Sequence, residues 1–201
     1  MEIKEKILQT MKNLAARKGF SAVTVDELAA ACGISKRTLY RYFQSKEEIV
    51  EKVLEELMTG IDRRAEEIFT GPASPPEKLR AMAGAVAEGA RFMEPHVFHD
   101  LQRRYPHLWE KIDRFRAGRL HRLEQIYREG CCLGYFREVN FDVLFTAFLA
   151  SLRAVVTPAF FINHAVSLPQ AIETLQEIFL HGISSPGGPM SEKESGRGKG
   201  G

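Results

Sequence analysis

Apolar positions along this chain recur at helical spacing, and no stretch shows strong strand alternation. In residues 2–18, Ile3, Ile7, Leu8, Met11, Leu14 and Ala15 fall on one face, and Gly19 supplies a stop. Two short helices are predicted next, over 25–32 and 36–43. A long one follows from Lys46 to about Thr70, with Ile49, Val53, Leu57, Ile61 and Ile68 near one side. The Gly71–Pro76 stretch breaks it. Leu79, Met82, Val86 and Phe92 mark a helix over roughly 76–93, whose many alanines and glycines predict close packing. Pro95 and Pro106 bracket a short helix, and one long helix is predicted from Pro106 to about Cys132. Residues 141–164 are the most apolar segment, with Pro158 expected to kink it or end it early. A last helix runs from Ser167 to about Gly182. The prediction is an all-α chain of about nine helices.

The punctuation is most telling between Thr24 and Lys46. Thr24 with Glu27 reads as a capping box, and Ser45 with Glu48 reads as another. Gly33 ends the first short helix in a left-handed turn, Ile34 is the buried turn residue and Ser35 caps the second helix. Two short helices around a glycine turn form a helix-turn-helix. In the second, Leu39 and Phe43 share the inner face. The outer face is centred on Arg41, with Arg37 and Thr38 beside it, Tyr40 and Tyr42 flanking, and Lys36 at the exposed end. No carboxylate lies between Lys36 and Lys46. Such a face suits the major groove, where arginine and lysine donate to guanine edges. Hydroxyls and backbone N–H groups hold phosphates.

The run SKRTLYRYFQSKEEI, preceded by TVDELAAACGI, resembles the reading helix of the TetR/AcrR family of bacterial transcriptional regulators over roughly the first 50 residues. The resemblance implies that Lys36, Arg37 and Arg41 approach bases. It implies that Thr24, Ser35, Thr38, Tyr40, Tyr42 and Lys46 mainly clamp phosphates. It also implies a three-helix DNA-binding domain over 1–45 and a larger ligand-binding and dimerisation bundle over 46–183. A ligand cavity is expected among the middle helices, with Phe92, His96, His99 and Trp109 as its candidate lining. The last two helices are apolar beyond one face and predict a homodimer interface, for which Phe145, Phe148, Leu149, Leu152, Leu175 and Phe179 are the candidates.

Composition changes this picture little. The 201 residues carry a formal net charge of only +2, so DNA affinity must come from a local patch. Three cysteines, Cys32, Cys131 and Cys132, form no spaced framework and suggest a reducing compartment. With no secretory signal and no apolar run near the ~18 residues of a membrane span, a cytoplasmic protein is expected. Residues 184–201 read as a disordered Gly/Ser/Pro tail. His96, His99 and Asp100 share one helical face but lack a clear further ligand, and no metal or other cofactor is assigned. Cys131 and Cys132 read as small packing groups rather than as a redox or metalloid sensor, and the arginines of residues 114–128 as a solvated face. No nucleophile elbow or phosphate-binding glycine loop points to an enzyme.

The expected function is therefore a ligand-responsive transcriptional regulator, a repressor released from a pseudo-palindromic operator by an apolar or aromatic small molecule. Its partners would be double-stranded operator DNA, the effector and a second copy of the chain, with no membrane. The alternative is a helical small-molecule sensor whose helix-turn-helix does not read DNA.

Overall fold

A computed structural model describes residues 2–89, 93–118 and 120–186. Among them run α1 (Ile3–Lys18), α2 (Val25–Ala31), α3 (Lys36–Tyr42), α4 (Lys46–Thr70), α5 (Pro75–Gly89) and α6 (Pro95–Arg104). Then come α7 (Pro106–Ala117), α8 (Leu120–Cys132), α9 (Phe141–Val155), α10 (Pro158–Asn163) and α11 (Leu168–Ile183). No strand forms among the described residues; a single antiparallel bridge joins Phe136 to Ser184.

The eleven helices exceed the nine expected because two predicted helices are divided. The long helix from Pro106 breaks after Ala117, where the Gly118 N–H still reaches the Arg114 carbonyl at 2.9 Å. Glycine costs about 1 kcal/mol in a helix interior. Breaking there lets α7 pack on α4 and α6 while α8 turns to α5. The apolar helix from Phe141 ends at Val155, and Thr157 caps α10 by accepting from the Phe160 N–H at 3.2 Å. Pro158 stands at the start of α10, where its missing N–H costs nothing.

The first three helices bury Ile7, Met11, Phe20, Val23, Leu28 and Leu39 completely. The same cluster takes Ile49, Val50 and Val53 from the start of α4, then continues through Val97, Phe98, Leu101 and Leu108. Helix α4 is 25 residues long, or ~37 Å, so it begins in the head core and ends deep in the body. A smaller cluster of Tyr127, Phe136, Leu180 and Ile183 closes the far end. There the Phe136 ring lies so close to Gly130 that a β-carbon at that position would overlap it. Ser185, placed by the sequence in the tail, donates its N–H to the Tyr135 carbonyl at 3.0 Å. Residues 187–201, the rest of that expected tail, lie outside the described residues.

Candidate nucleic-acid interface

Local chemistry sets the angle of α3. Thr24 Oγ1 accepts the Glu27 N–H at 3.1 Å and starts α2. The reciprocal half of that box does not close, because the Glu27 carboxylate turns to Lys18 Nζ at 2.5 Å. That hydrogen bond holds the Glu27 carboxyl below its ordinary range. At the second box, Ser45 Oγ accepts the Glu48 N–H at 3.0 Å, while Glu48 accepts from the Gln44 N–H rather than from Ser45. Gly33 (φ +67°) makes the turn, and the Ile34 N–H reaches back to the Ala29 carbonyl at 3.0 Å. Ser35 Oγ then accepts the Thr38 N–H at 3.0 Å and caps α3.

Leu39 and Phe43 are buried beneath α3, so the opposite face must look outward. Arg37 and Arg41 lie exposed on it, and neither has an ion-pair partner among the described residues. Tyr40, 45% exposed, flanks them. The Arg41 guanidinium is 5.4 Å from the Tyr42 ring centre, and Tyr42 is half-buried against the head core. Lys36 pairs with Asp26 of α2 at 3.1 Å, a partner that the run from Lys36 to Lys46 does not reveal. Both groups are exposed, so this pair is weak and screened. Thr24 and Ser35 are exposed, and Thr38 is half-buried with its hydroxyl 2.9 Å from that of Ser35. Lys46, the first residue of α4, donates to the Ser21 carbonyl at 2.9 Å. Its ammonium is partly desolvated, which lowers its pKa against the opposing pull of Asp100.

Of the four residues expected to line a ligand cavity, the three that the structure describes stand in different surroundings. Phe92 lies outside the described residues. His99 is exposed. Trp109 meets Phe98 edge-on at 6.0 Å as part of the core. His96 faces the head: its Nε2 donates to the carbonyls of Ala16 at 3.0 Å and Ala15 at 3.2 Å, which places the proton on Nε2. Asp100, one turn later, accepts from the N–H and hydroxyl of Ser21. Shared helical face was readable from the i, i+4 spacing; the surface that face would meet was not. No group of three or more candidate metal ligands occurs among the described residues. Two grooves among the described residues of the body lie elsewhere, each of about 390 Å³. One runs between α5 and α11 past Arg80, Gly84, Gln176 and His181; the other runs between α9 and α11 past Val143, Leu144, Ile178 and Phe179.

Of the six expected interface residues, Phe145 and Leu175 turn inward, with 8% and 9% exposure within one chain. Phe148, Leu149, Leu152 and Phe179 are half-buried, and Phe148 meets Phe179 edge-on at 5.3 Å. The strongly exposed apolar residues of α9 and α11 are Val143 at 66% and Ile178 at 61%. Elsewhere, Arg122 pairs with Glu66 and Arg128 with Glu124, as a solvated charged face would. All three thiols are free, with Cys32 buried, Cys131 half-buried and Cys132 exposed. No helix among the described residues is long and apolar enough to cross a membrane.

Comparison with known proteins agrees with this geometry. Residues 7–53 match the family described as bacterial regulatory proteins, tetR family. The HTH-type transcriptional regulator YvaF of Bacillus subtilis (strain 168) is 25% identical over 182 residues, covering 90% of this chain and 95% of that protein. The HTH-type transcriptional repressor KstR2 of Mycolicibacterium smegmatis is 28% identical over 147 residues, or 71% of this chain and 72% of the relative. The crystal structure of the TetR family regulator PfmR from Thermus thermophilus superposes with a TM-score of 0.63 and 26% identity, covering 87% of this chain and 97% of that one.

Proposed function

The chain belongs to the TetR family of bacterial regulatory proteins, and on that premise we propose that it represses transcription by binding a pseudo-palindromic operator until an effector releases it. The observation that carries the reading is the outer face of α3. There Arg37 and Arg41 stand exposed, without ion-pair partners among the described residues, above a buried Leu39. Two long cations on a rigid, capped helix suit guanine edges in the major groove. Thr38, Tyr40 and Tyr42 on the same helix, with its cap Ser35 and with Thr24 and Lys46 beside it, supply phosphate contacts that fix register without reading sequence. Two copies joined through α9 and α11 would present two heads to successive major grooves, ~34–36 Å apart.

Release follows from linkage. An effector that binds better to the form with the wrong head spacing shifts the population away from DNA, and one with equal affinity for both forms shifts nothing. Helix α4 belongs to both parts and is one mechanical link. An apolar or aromatic effector suits a body rich in alanine and phenylalanine.

The test is binding of the purified protein to fragments of its own upstream DNA and to random DNA across a salt series. We expect selective binding, with log affinity falling by about 0.9 per phosphate contact for each tenfold rise in salt. Equal, weak binding to every fragment, persisting in a genome-wide selection with an Arg37→Glu/Arg41→Glu control, would overturn the reading.

A further inference from the structure

Among the described residues, two charged side chains are buried, Lys78 and Asp100. Lys78 faces Glu129 across α5 and α8 at 3.6 Å. Asp100 lies on α6, in the body, yet both its oxygens are engaged by one residue of the head. The Ser21 N–H reaches Oδ2 at 2.7 Å and the Ser21 hydroxyl reaches Oδ1 at 2.6 Å. Ser21 has a third polar group, its carbonyl, and this accepts from Lys46 at 2.9 Å. A body carboxylate and the first cation of α4 therefore meet on a single corner residue.

The neighbouring contacts tighten this corner. His96, one turn before Asp100, donates to the carbonyls of Ala15 and Ala16 at the end of α1. Both carbonyls lie in the last turn of α1, and that of Ala15 also accepts the Gly19 N–H at 2.8 Å. Gly19 lets the chain pass directly against α6: a β-carbon there would overlap Asp100 Oδ2. An apolar side chain could glue α6 to the head without the desolvation cost that a buried carboxylate carries. It would not fix the angle of contact. Two short charge-assisted hydrogen bonds do, because they weaken when either partner turns.

We propose that Asp100 is a positioning residue for DNA reading: through Ser21 it clasps the corner between α1 and α2 to α6 and sets the orientation of the head and of Lys46. The inference rests on the reading that α3 binds DNA. It adds a second link between body and head beside the length of α4, so that movement of α6 reaches the corner between α1 and α2 without passing along that helix.

The experiment uses the full chain with Asp100→Asn, Ser21→Ala and the double variant. Asparagine keeps the shape and one acceptor, and Ser21 is exposed, so folding should survive in both. Hydrogen exchange is measured first, without DNA. Amides of residues 19–23 should exchange at least about tenfold faster in Asp100→Asn, with α8 and α11 unchanged. Operator binding is then measured on a series of half-site spacings. Affinity at the preferred spacing should fall about tenfold, and less at spacings one base pair away, so discrimination between spacings is reduced. The double variant should match Asp100→Asn within about twofold, since both changes break one contact. Unchanged exchange at 19–23 would overturn the clasp. An equal loss at all spacings together with a lowered Tm would show a merely structural role. Arg37→Glu/Arg41→Glu should lose binding at every spacing with exchange at 19–23 intact, which separates failure of the clasp from failure of DNA reading.

Discussion

Gly19 and Gly33 both have positive φ, yet they stand in different surroundings. Gly19 (φ +83°, ψ 160°) occupies a region open essentially to glycine alone, and a β-carbon would enter the Asp100 carboxylate. Gly33 (φ +67°) has nothing near it. Gly19→Ala should therefore cost about 2–4 kcal/mol and Gly33→Ala about 1–2 kcal/mol in urea unfolding. Equal costs would mean that the close approach to α6 contributes nothing. The arginines of α3 should behave in the opposite way. Arg37→Ala and Arg41→Ala remove exposed groups, so stability should change by no more than about 0.5 kcal/mol, while each weakens operator binding by about 1–3 kcal/mol. Their outward direction was legible from the position of Leu39 and Phe43. The Asp26 partner of Lys36 was not, because it comes from another helix.

At the scale of the element, α4 is held to α7 by charge. Lys111 donates to Glu51 at 2.9 Å and to Glu55 at 2.7 Å, and Lys52 donates to Glu55 at 2.6 Å. The Lys111 hydrogen bond, then that of Lys52, holds the Glu55 carboxyl below its ordinary range. A carboxyl depressed in the folded state contributes stability that is whole above its unfolded value and lost as pH falls through the folded one. Lys111, Glu51 and Glu55 are each about a third exposed, so screening keeps the contribution below ~1 kcal/mol. Lys111→Met should thus be slightly less stable at pH 7, and its deficit should shrink as the pH falls below about 4. Denaturant melts of both proteins at about pH 7 and about pH 3 check this; a deficit that grows in acid would contradict it. Most helix starts followed from sequence, since Ser45, Asn140 and Ser167 each cap the helix expected of them. The interruption at Gly118 did not, because isolated glycines also occur within intact helices such as α4 and its Gly60.

The whole molecule leaves apolar surface on α9 and α11. Val143 and Ile178 project from it beside the groove that passes Leu144 and Phe179. In the homodimer proposed here these two residues, with Phe148 and Phe179, would meet their symmetry copies. Val143→Glu/Ile178→Glu should shift sedimentation from dimer to monomer and weaken operator binding, while the head keeps its fold. A stable dimer in that variant would place the interface on another face. The inward turn of Phe145 on α9 and of Leu175 on α11 was not legible, because both helices are apolar beyond one face. Periodicity therefore could not say which side meets the chain's own α11 and which meets a partner.

Sequence alone determined the helical class, the helix-turn-helix and the outward direction of Arg37 and Arg41 on α3. Those features rest on local physics: spacing of apolar residues, hydroxyl caps and one left-handed glycine act within a few residues of one another. Tertiary structure decided which surface each remaining face meets. It set His96 against the end of α1 and Asp100 against Ser21, and sent Glu27 to Lys18. These outcomes depend on pairings between residues up to 81 apart, as in the contact of His96 with Ala15. A helical period fixes a direction around one axis, and only the packing of a second axis fixes what lies in that direction.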